Sequence, residues 1–372
     1  MIRSIIQATG HYLPKRIIKN SDFLNHKFYD NKGLKINKSN KEIIQKFQEI
    51  TEIEERRYVS DDLSSSDIAT IASQRALSES QIDKEQLDYI IAAHNYGDIH
   101  PISHQSDMMP AIASRVKNKL GIKNNRCRPY DMIFGCPGWI EGLILADQLL
   151  KGGHAQHILI TGSDTLSKMV DPYDRNAMIF SDGAGVAILS AVETDQDIGI
   201  LHYDSQSDNG KELHYLFNGL SLNSDYTESM VNISMNGRRI YEYALTVIPL
   251  ILKKLLDKSQ LQLKEIKKIL IHQANAKMDH AILKRFLSYY DHPNDEKTCA
   301  NLMPMSIQKL GNSSVATVPT LLDRILKGKM PPHELKSGDT ILMASLGAGM
   351  NTNAMIYRFP KPIPSPDKPI LP

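Results

Sequence analysis

Cysteine is scarce in this chain. Three occur in 372 residues, Cys127, Cys136 and Cys299. An odd number without framework spacing excludes a disulfide-stapled scaffold and points to a reducing compartment. Charge of one sign is not in excess either. The 44 Lys and Arg against 42 Asp and Glu leave a net charge of +2, too small for a nucleic-acid or membrane-surface footprint. The longest nearly unbroken apolar run, Ala244–Leu252, is far shorter than the roughly 20 residues a membrane span needs. The opening residues Met1–Ala8 form one short apolar stretch before Gly10 and Pro14, without the longer apolar core of a secretory signal. Metal motifs are missing too. His94, His100 and His104 are dense, but no H-E-x-x-H or paired C-x-x-C accompanies them, so they read as solvated loop histidines. The expectation is a cytoplasmic protein with no metal, no nucleic-acid partner and no membrane span.

What is there is ordinary globular composition, 41% hydrophobic and 23% charged, on a chain longer than one usual core. Apolar strands alternate with amphipathic helices. Ser64 caps a helix carrying Ile68, Ile71, Ala72 and Ala76 on one face. The strand Leu87–Ala93 follows, then the unpatterned loop 95–110, then a helix through Ile112, Val116 and Leu120 ending at Gly121. Arg128–Phe134 reads as a short buried strand. Pro137 opens the helix that continues through Ile140, Leu143 and Leu150, and His157–Gly162 is the next strand. Phe180–Leu189 reads as a tight glycine turn leading into a strand. Residues 25–45 are polar and Lys/Asn-rich, a surface excursion.

The second half repeats this order. Ser259-Gln260-Leu261 stands beside Ser80-Gln81-Ile82, Ile266–Ile271 beside Leu87–Ala93, Gly311-Asn312 beside Gly135-Cys136, and Asp339–Gly349 beside His157–Gly162. Alternating helices and strands predict mostly parallel sheets covered on both faces. Two such runs predict two similar halves, 1–190 and 191–372, packed as a pseudo-dimer. Pro249 should kink the helix from about Arg239 to Leu256. Six prolines in the last thirteen residues make the tail from about Pro360 extended.

This duplication gathers chemistry at the C-terminal ends of strands, where open α/β sheets bind ligands. Cys136 stands where a strand gives way to a helix, so the helix N-terminus should ease its ionisation. His272-Gln273-Ala274-Asn275 follows the strand ending at Ile271, and Asn312 precedes a helix. Each has a bland reading: a structural thiol, a strand-end imidazole, a turn or cap carboxamide. Arriving together from symmetric positions, they can act as a nucleophile for an acyl thioester and two neutral donors for an enolate oxygen.

Gly135-Cys136-x-Gly138, His272-Gln273-Ala274-Asn275 and Gly311-Asn312-Ser313-Ser314 resemble the Cys–His–Asn set of thiolase-fold condensing enzymes, most of all the β-ketoacyl-acyl carrier protein synthase III group. Ile53-Glu54-Glu55-Arg56-Arg57, Asp171–Arg175, Phe180–Gly185 and Met235–Arg238 match further runs of that family. The resemblance implies an α/β thiolase-like fold, layered α-β-α-β-α, and a homodimer. It implies that Cys136 takes an acyl group and that His272 and Asn312 bind the thioester carbonyl of malonyl-carrier protein. Decarboxylation and Claisen condensation would then give 3-oxoacyl-carrier protein. Backbone amides of Cys136 and Ala348 would form the oxyanion hole. Gln273, Ala274, Asn275 and Lys277 would serve carrier-protein docking, and Arg175 remains from the family's nucleotide clamp. No cofactor is implied beyond the acyl thioester of coenzyme A or carrier protein.

Departures from the pattern also carry information. Where the family has W-I-x-x-R-T-G, this chain has Lys46–Glu52, which points to a carrier-bound or longer acyl donor. The additions at 25–45 and 95–110 resemble those of specialised relatives, including dialkylresorcinol-type and acyl-transferring synthases. A papain-like Cys…His…Asn hydrolase is a competing class, but the C-G-[SA]-C-[WY] signature is absent.

Overall fold

The structure is a computed structural model that describes residues 1–226 and 231–361. The proline-rich tail from residue 362 onward lies outside them. Two sheets organise the chain. The first has five strands in the order Ile2–Tyr12, Asp182–Glu193, His157–Thr165, Tyr89–Ala93, Arg128–Met132. The second has four, in the order Gly199–Ser207, Asn351–Arg358, Thr340–Gly347, Ile266–Ile271. Strand for strand, the second sheet repeats the first but stops one short. Where the first half has Arg128–Met132, the second has the short helix Ile307–Leu310.

Period-two alternation fixes what each sheet face covers. Ile91, Ile158 and Ile160 of the first sheet and Leu270, Ile341 and Met343 of the second join one buried cluster with the helices Gly138–Lys151 and Thr317–Leu326. Their neighbours Ile90, Ala92 and Leu159 turn the other way, onto the helices Ser65–Ser80 and Ile112–Lys119. Ile269, Leu342 and Ala344 pack on the helices Gly237–Ser259 and Ala276–Ser288. The result is five layers, α-β-α-β-α. Gly138–Lys151 and Thr317–Leu326 are buried nearly all round, as a central layer requires. Helix Gly237–Ser259 runs on through Pro249.

Several local expectations are corrected. The sheets are mixed, not mostly parallel: Ile2–Tyr12 and His157–Thr165 both run antiparallel to Asp182–Glu193, and Asn351–Arg358 runs antiparallel to both its neighbours. The parallel pairs are those joined by crossover helices. Arg128–Met132 is not buried but an edge strand, with Tyr130 46% exposed. No turn occurs at Gly183–Gly185; the strand already begins at Asp182. Gly185 is needed there because a Cβ would come 2.6 Å from Pro319, where the central helix crosses. Residues 25–45 are more than an excursion. Ser39 and Glu42 form a capping box for the helix Asn40–Thr51. Phe28, Ile43 and Ile44 form a small core with Phe23 and Met178. The loop 95–110 holds a two-residue hairpin, Asp98–Ile99 with Ser106–Asp107.

Candidate active site

The nucleophile turn is held by the opposite half. Gly135 has φ +72°, and a Cβ on it would come 2.7 Å from the Ala348 amide nitrogen. A Cβ on Gly347 would fall 2.3 Å from the Cys136 amide nitrogen. The two turns touch backbone to backbone, so the Cys136 and Ala348 amides lie side by side. Positive φ falls at Gly349 and Met350, not at Ala348, so the alanine costs nothing there. Asn351 donates Nδ2 to the Phe134 carbonyl at 3.3 Å, and Asn353 donates Nδ2 to the Pro137 carbonyl at 3.0 Å. These two asparagines, one strand after the 347–349 turn, clamp Cys136 and were not singled out in the sequence.

Cys136, His272 and Asn312 line one cavity of about 860 Å³. Ser314 lies between them. Its Oγ donates to the Cys136 Sγ at 3.3 Å, and its amide donates to the Asn312 Oδ1 at 2.8 Å. The carbonyl end of the Asn312 carboxamide is thereby occupied, and Nδ2 is the donor left for a ligand. The Asn312 backbone is fixed across the halves: Ser181 donates its amide to the Asn312 carbonyl at 2.8 Å, and Asn312 donates its own to Ile179 at 3.0 Å. Behind this segment, the guanidinium of buried Arg56 donates to the Met178 carbonyl, the Ile18 carbonyl and Asn20 Oδ1. Arg56 is therefore a strut, not a ligand group.

His272 has its amide bonded to the Ala344 carbonyl at 2.9 Å. Burial pushes its imidazole down to about 4, opposed by a hydrogen bond with the Ser314 backbone, so the ring is neutral at physiological pH and donates as a neutral group. For Cys136 the expectation of an easily ionised thiol is corrected. Burial pushes it up to about 12, with the Ser314 hydroxyl opposing and the Asp164 carboxylate adding to the rise. The resting sulfur is a thiol.

The carrier-docking residues separate. Gln273 is fully buried and spent: Nε2 donates to the Pro304 carbonyl, and Oε1 accepts the Ser306 and Ile307 amides. It fastens a loop and cannot meet a partner. Asn275 caps the helix Ala276–Ser288, accepting the Met278 amide at 3.1 Å, and still lines the cavity, as does Ala274. Lys277 is exposed outside the cavity, and Arg175 lines the cavity mouth with Lys38, Lys46 and Arg238. His94 corrects the reading of loop histidines: it is fully buried, with Nε2 3.1 Å from Asp131 and Nδ1 accepting the Gly97 amide. Cys127 and Cys299 are buried away from the site, and burial pushes Cys127 up to about 11.

Family comparison accords with this geometry. Residues 130–209 match the model of 3-oxoacyl-[acyl-carrier-protein] synthase III, and residues 256–359 match that of its C-terminal region. The β-ketoacyl-[acyl-carrier-protein] synthase III of Clostridium perfringens is 34% identical over 310 residues, 82% of this chain and 87% of the relative. That of Staphylococcus aureus is 30% identical over 359 residues, 96% and 99% of the two chains. The chain belongs to the β-ketoacyl-[acyl-carrier-protein] synthase III family. A solved synthase III from Aquifex aeolicus superposes with a TM-score of 0.76 at 27% identity, covering 96% of this chain and all of the other. The five-layered thiolase-like fold is that of these synthases. No helix among the described residues of this family member is long and apolar enough to cross a membrane.

Proposed function

We propose that this enzyme is a 3-oxoacyl-[acyl-carrier-protein] synthase that carries an acyl group on Cys136 and condenses it with malonyl-carrier protein. The observation that carries this reading is the meeting of Cys136, His272 and Asn312, from two halves, in one cavity. In the first step Sγ attacks the donor thioester carbonyl, and the oxyanion sits on the Cys136 and Ala348 amides. The carbon–sulfur bond of the donor breaks, and the proton lost by Cys136 ends on the departing thiol. A thiol raised to about 12 is therefore compatible with transfer, because no net charge is created. In the second step the malonyl carbonyl lies against His272 and the Asn312 Nδ2. Its carbon–carbon bond breaks with loss of CO₂, and the enolate carbon attacks the acyl-Cys136 carbonyl. Collapse releases 3-oxoacyl-carrier protein and the sulfur regains a proton.

The cavity supports an acyl chain longer than acetyl: Leu166, Phe180, Ile233, Met235, Ile248 and Leu346 give it apolar walls. The chain's one tryptophan, Trp139, is buried in the core, so none at the mouth stacks on a nucleotide base, which supports a carrier-bound donor. A homodimer paired through the edge strand Arg128–Met132 completes the proposal. The test is intact mass after incubation with acyl-carrier and acyl-coenzyme A donors. Wild type gains one acyl mass, faster from the carrier, and Cys136→Ser gains none. Labelling that persists in Cys136→Ser would place the nucleophile elsewhere.

A further inference from the structure

The polar groups behind the sulfur form a directed chain. Asp164, 2% exposed, closes the strand His157–Thr165 region beneath the nucleophile. Asn95, the first residue of the unpatterned loop, bonds to it twice: its amide reaches Asp164 Oδ1 at 2.9 Å and its Nδ2 reaches Oδ2 at 2.6 Å. The same Nδ2 lies 2.9 Å from the Ser314 Oγ. A carboxylate only accepts, so the atom of Asn95 that meets it is the NH₂ nitrogen, and its second proton goes to Ser314. With its oxygen accepting from Asn95, the Ser314 hydroxyl has one proton to give. Two acceptors compete for it, the Cys136 Sγ at 3.3 Å and the Asp164 carboxylate.

We propose that Asn95 is a positioning residue: it orders the Ser314 hydroxyl as a donor to Cys136 Sγ and so favours the attacking, thiolate form of the sulfur. By holding both Asp164 oxygens with its backbone and side-chain amide protons, Asn95 turns the Ser314 proton away from that carboxylate and toward the sulfur. That choice matters here because the other charged and titratable groups near the sulfur do not help it ionise. The Asp164 carboxylate raises it, the Tyr96 phenol is held neutral by burial, and the His272 ring is neutral. Ser314 is itself held in place at a cost. Its φ is +54°, a conformation a non-glycine residue keeps only where its surroundings impose it. The bonds to Asn95, Asn312 and Cys136 are those surroundings.

The inference rests on Cys136 being the nucleophile, and its test reads the sulfur without any substrate. The second-order rate of alkylation of Cys136 by iodoacetamide at pH 8 is followed by peptide mass. Below the thiol's midpoint the thiolate fraction falls tenfold for each unit the midpoint rises, and the greater nucleophilicity of the more basic thiolate offsets about half of that on a logarithmic scale. Ser314→Gly suits the left-handed backbone and removes only the donor; it should slow alkylation by roughly three- to fivefold, the worth of one charge-assisted hydrogen bond. Asn95→Ala should slow it comparably. Asn95→Leu, of similar shape but without a donor or a charge, should do the same if Asn95→Ala folds poorly. The double variant Asn95→Ala/Ser314→Gly should be no slower than Ser314→Gly, because both changes remove one donor. Asn95 variants alkylated within twofold of wild type would overturn the proposal, as would single effects that multiply in the double variant. Wild type that is alkylated at Cys136 yet takes up no acyl group from any thioester donor would count against the catalytic reading instead.

Discussion

At the scale of single residues, the chemistry turns on two neutral groups kept neutral by different means. Asn312 has no charge to lose, and its orientation is set by the Ser314 amide on Oδ1. His272 is neutral because burial drops its imidazole to about 4. Condensation by pre-acylated enzyme should therefore be flat from pH 8 to about 5.5. A fall centred near 6.5 in single-turnover experiments would mean that the ring titrates as an ordinary histidine. The same shift acts on folding. Between about 4 and the unfolded value of roughly 6.5, the unfolded chain binds a proton at His272 that the folded one does not. Stability from this site is complete above that window and is lost as the pH falls through it. Removal of the ring should separate the two steps. His272→Ala should still take up the acyl group on Cys136 but lose condensation by 10²-fold or more, the usual worth of an oxyanion donor. Intact mass and product formation measured on the same sample decide it, and a variant that loses acylation first would reassign the role.

These residues differed in how legible they were. Cys136 and His272 stood out because each follows an apolar strand and precedes a helix, and Asn312 because Gly311-Asn312 repeats the place of Gly135-Cys136 before a helix. Ser314 lay inside the motif but had no visible task, since its task comes from a left-handed backbone that the sequence does not announce. Asn95 and Asp164 gave no signal. A carboxamide in an unpatterned loop and an aspartate at a strand end acquire meaning only when chain segments far apart in sequence converge. The ionisation of Cys136 was misread for a related reason. A helix N-terminus is visible in sequence, whereas the burial that outweighs it belongs to the packing of two halves.

At the scale of elements, one helix carries an unexplained burden. Asp279, in the first turns of Ala276–Ser288, is fully buried, and neither carboxylate oxygen has a partner among the described residues. Burial holds its carboxyl well above the ordinary range, with the Asn275 backbone opposing and Glu52 adding to the rise. The folded chain thus keeps a proton that the unfolded chain releases above pH ~4. Stability from this site falls as the pH rises above that value. Asp279→Leu replaces the carboxyl with an apolar group of similar shape and should stabilise the fold by about 1–3 kcal/mol. The gain should be larger at pH 9 than at pH 5. Thermal unfolding at the two values checks it, and an equal or reversed gain would show the carboxyl to be satisfied in solution. Ser64 and its helix were readable from the capping pattern and are built that way. The antiparallel strands were not readable, since alternation of apolar residues says nothing of direction. Helix Asn40–Thr51 was hidden at its start by polar, lysine-rich sequence, and its apolar face becomes visible only against Phe23 and Phe28.

At the scale of the whole molecule, the mismatch between the halves suggests how copies would meet. The second sheet ends at Ile266–Ile271, against which the helix Glu296–Leu302 packs, with Lys268 donating Nζ to the Asn301 carbonyl. The first carries one strand more, Arg128–Met132, and leaves it as an open edge. Such an edge offers unpaired amides and carbonyls to another strand. The strand carries Arg128, Pro129 and Asp131, but the Asp131 carboxylate is spent on the Ile112 and Ala113 amides, and Tyr130 on the strand is 46% and Ile133 just beyond it 61% exposed. The adjoining loop adds Ile102 at 85% and Met109 at 90%. Pairing two such edges about a twofold axis would join the five-stranded sheets of two copies and cover these residues in one isologous contact. The same edge leads directly into Phe134, Gly135 and Cys136, so its loss should be felt at the nucleophile. Tyr130→Glu with Ile133→Glu should convert a dimer into a monomer by sedimentation or light scattering. It should also lower acylation of Cys136, because a frayed edge strand loosens the turn that Asn351 and Asn353 clamp. A variant that stays dimeric would place the contact elsewhere on the molecule. A wild type that sediments as a monomer at micromolar concentration would remove the dimer altogether, while leaving the cavity and its three functional side chains as they stand.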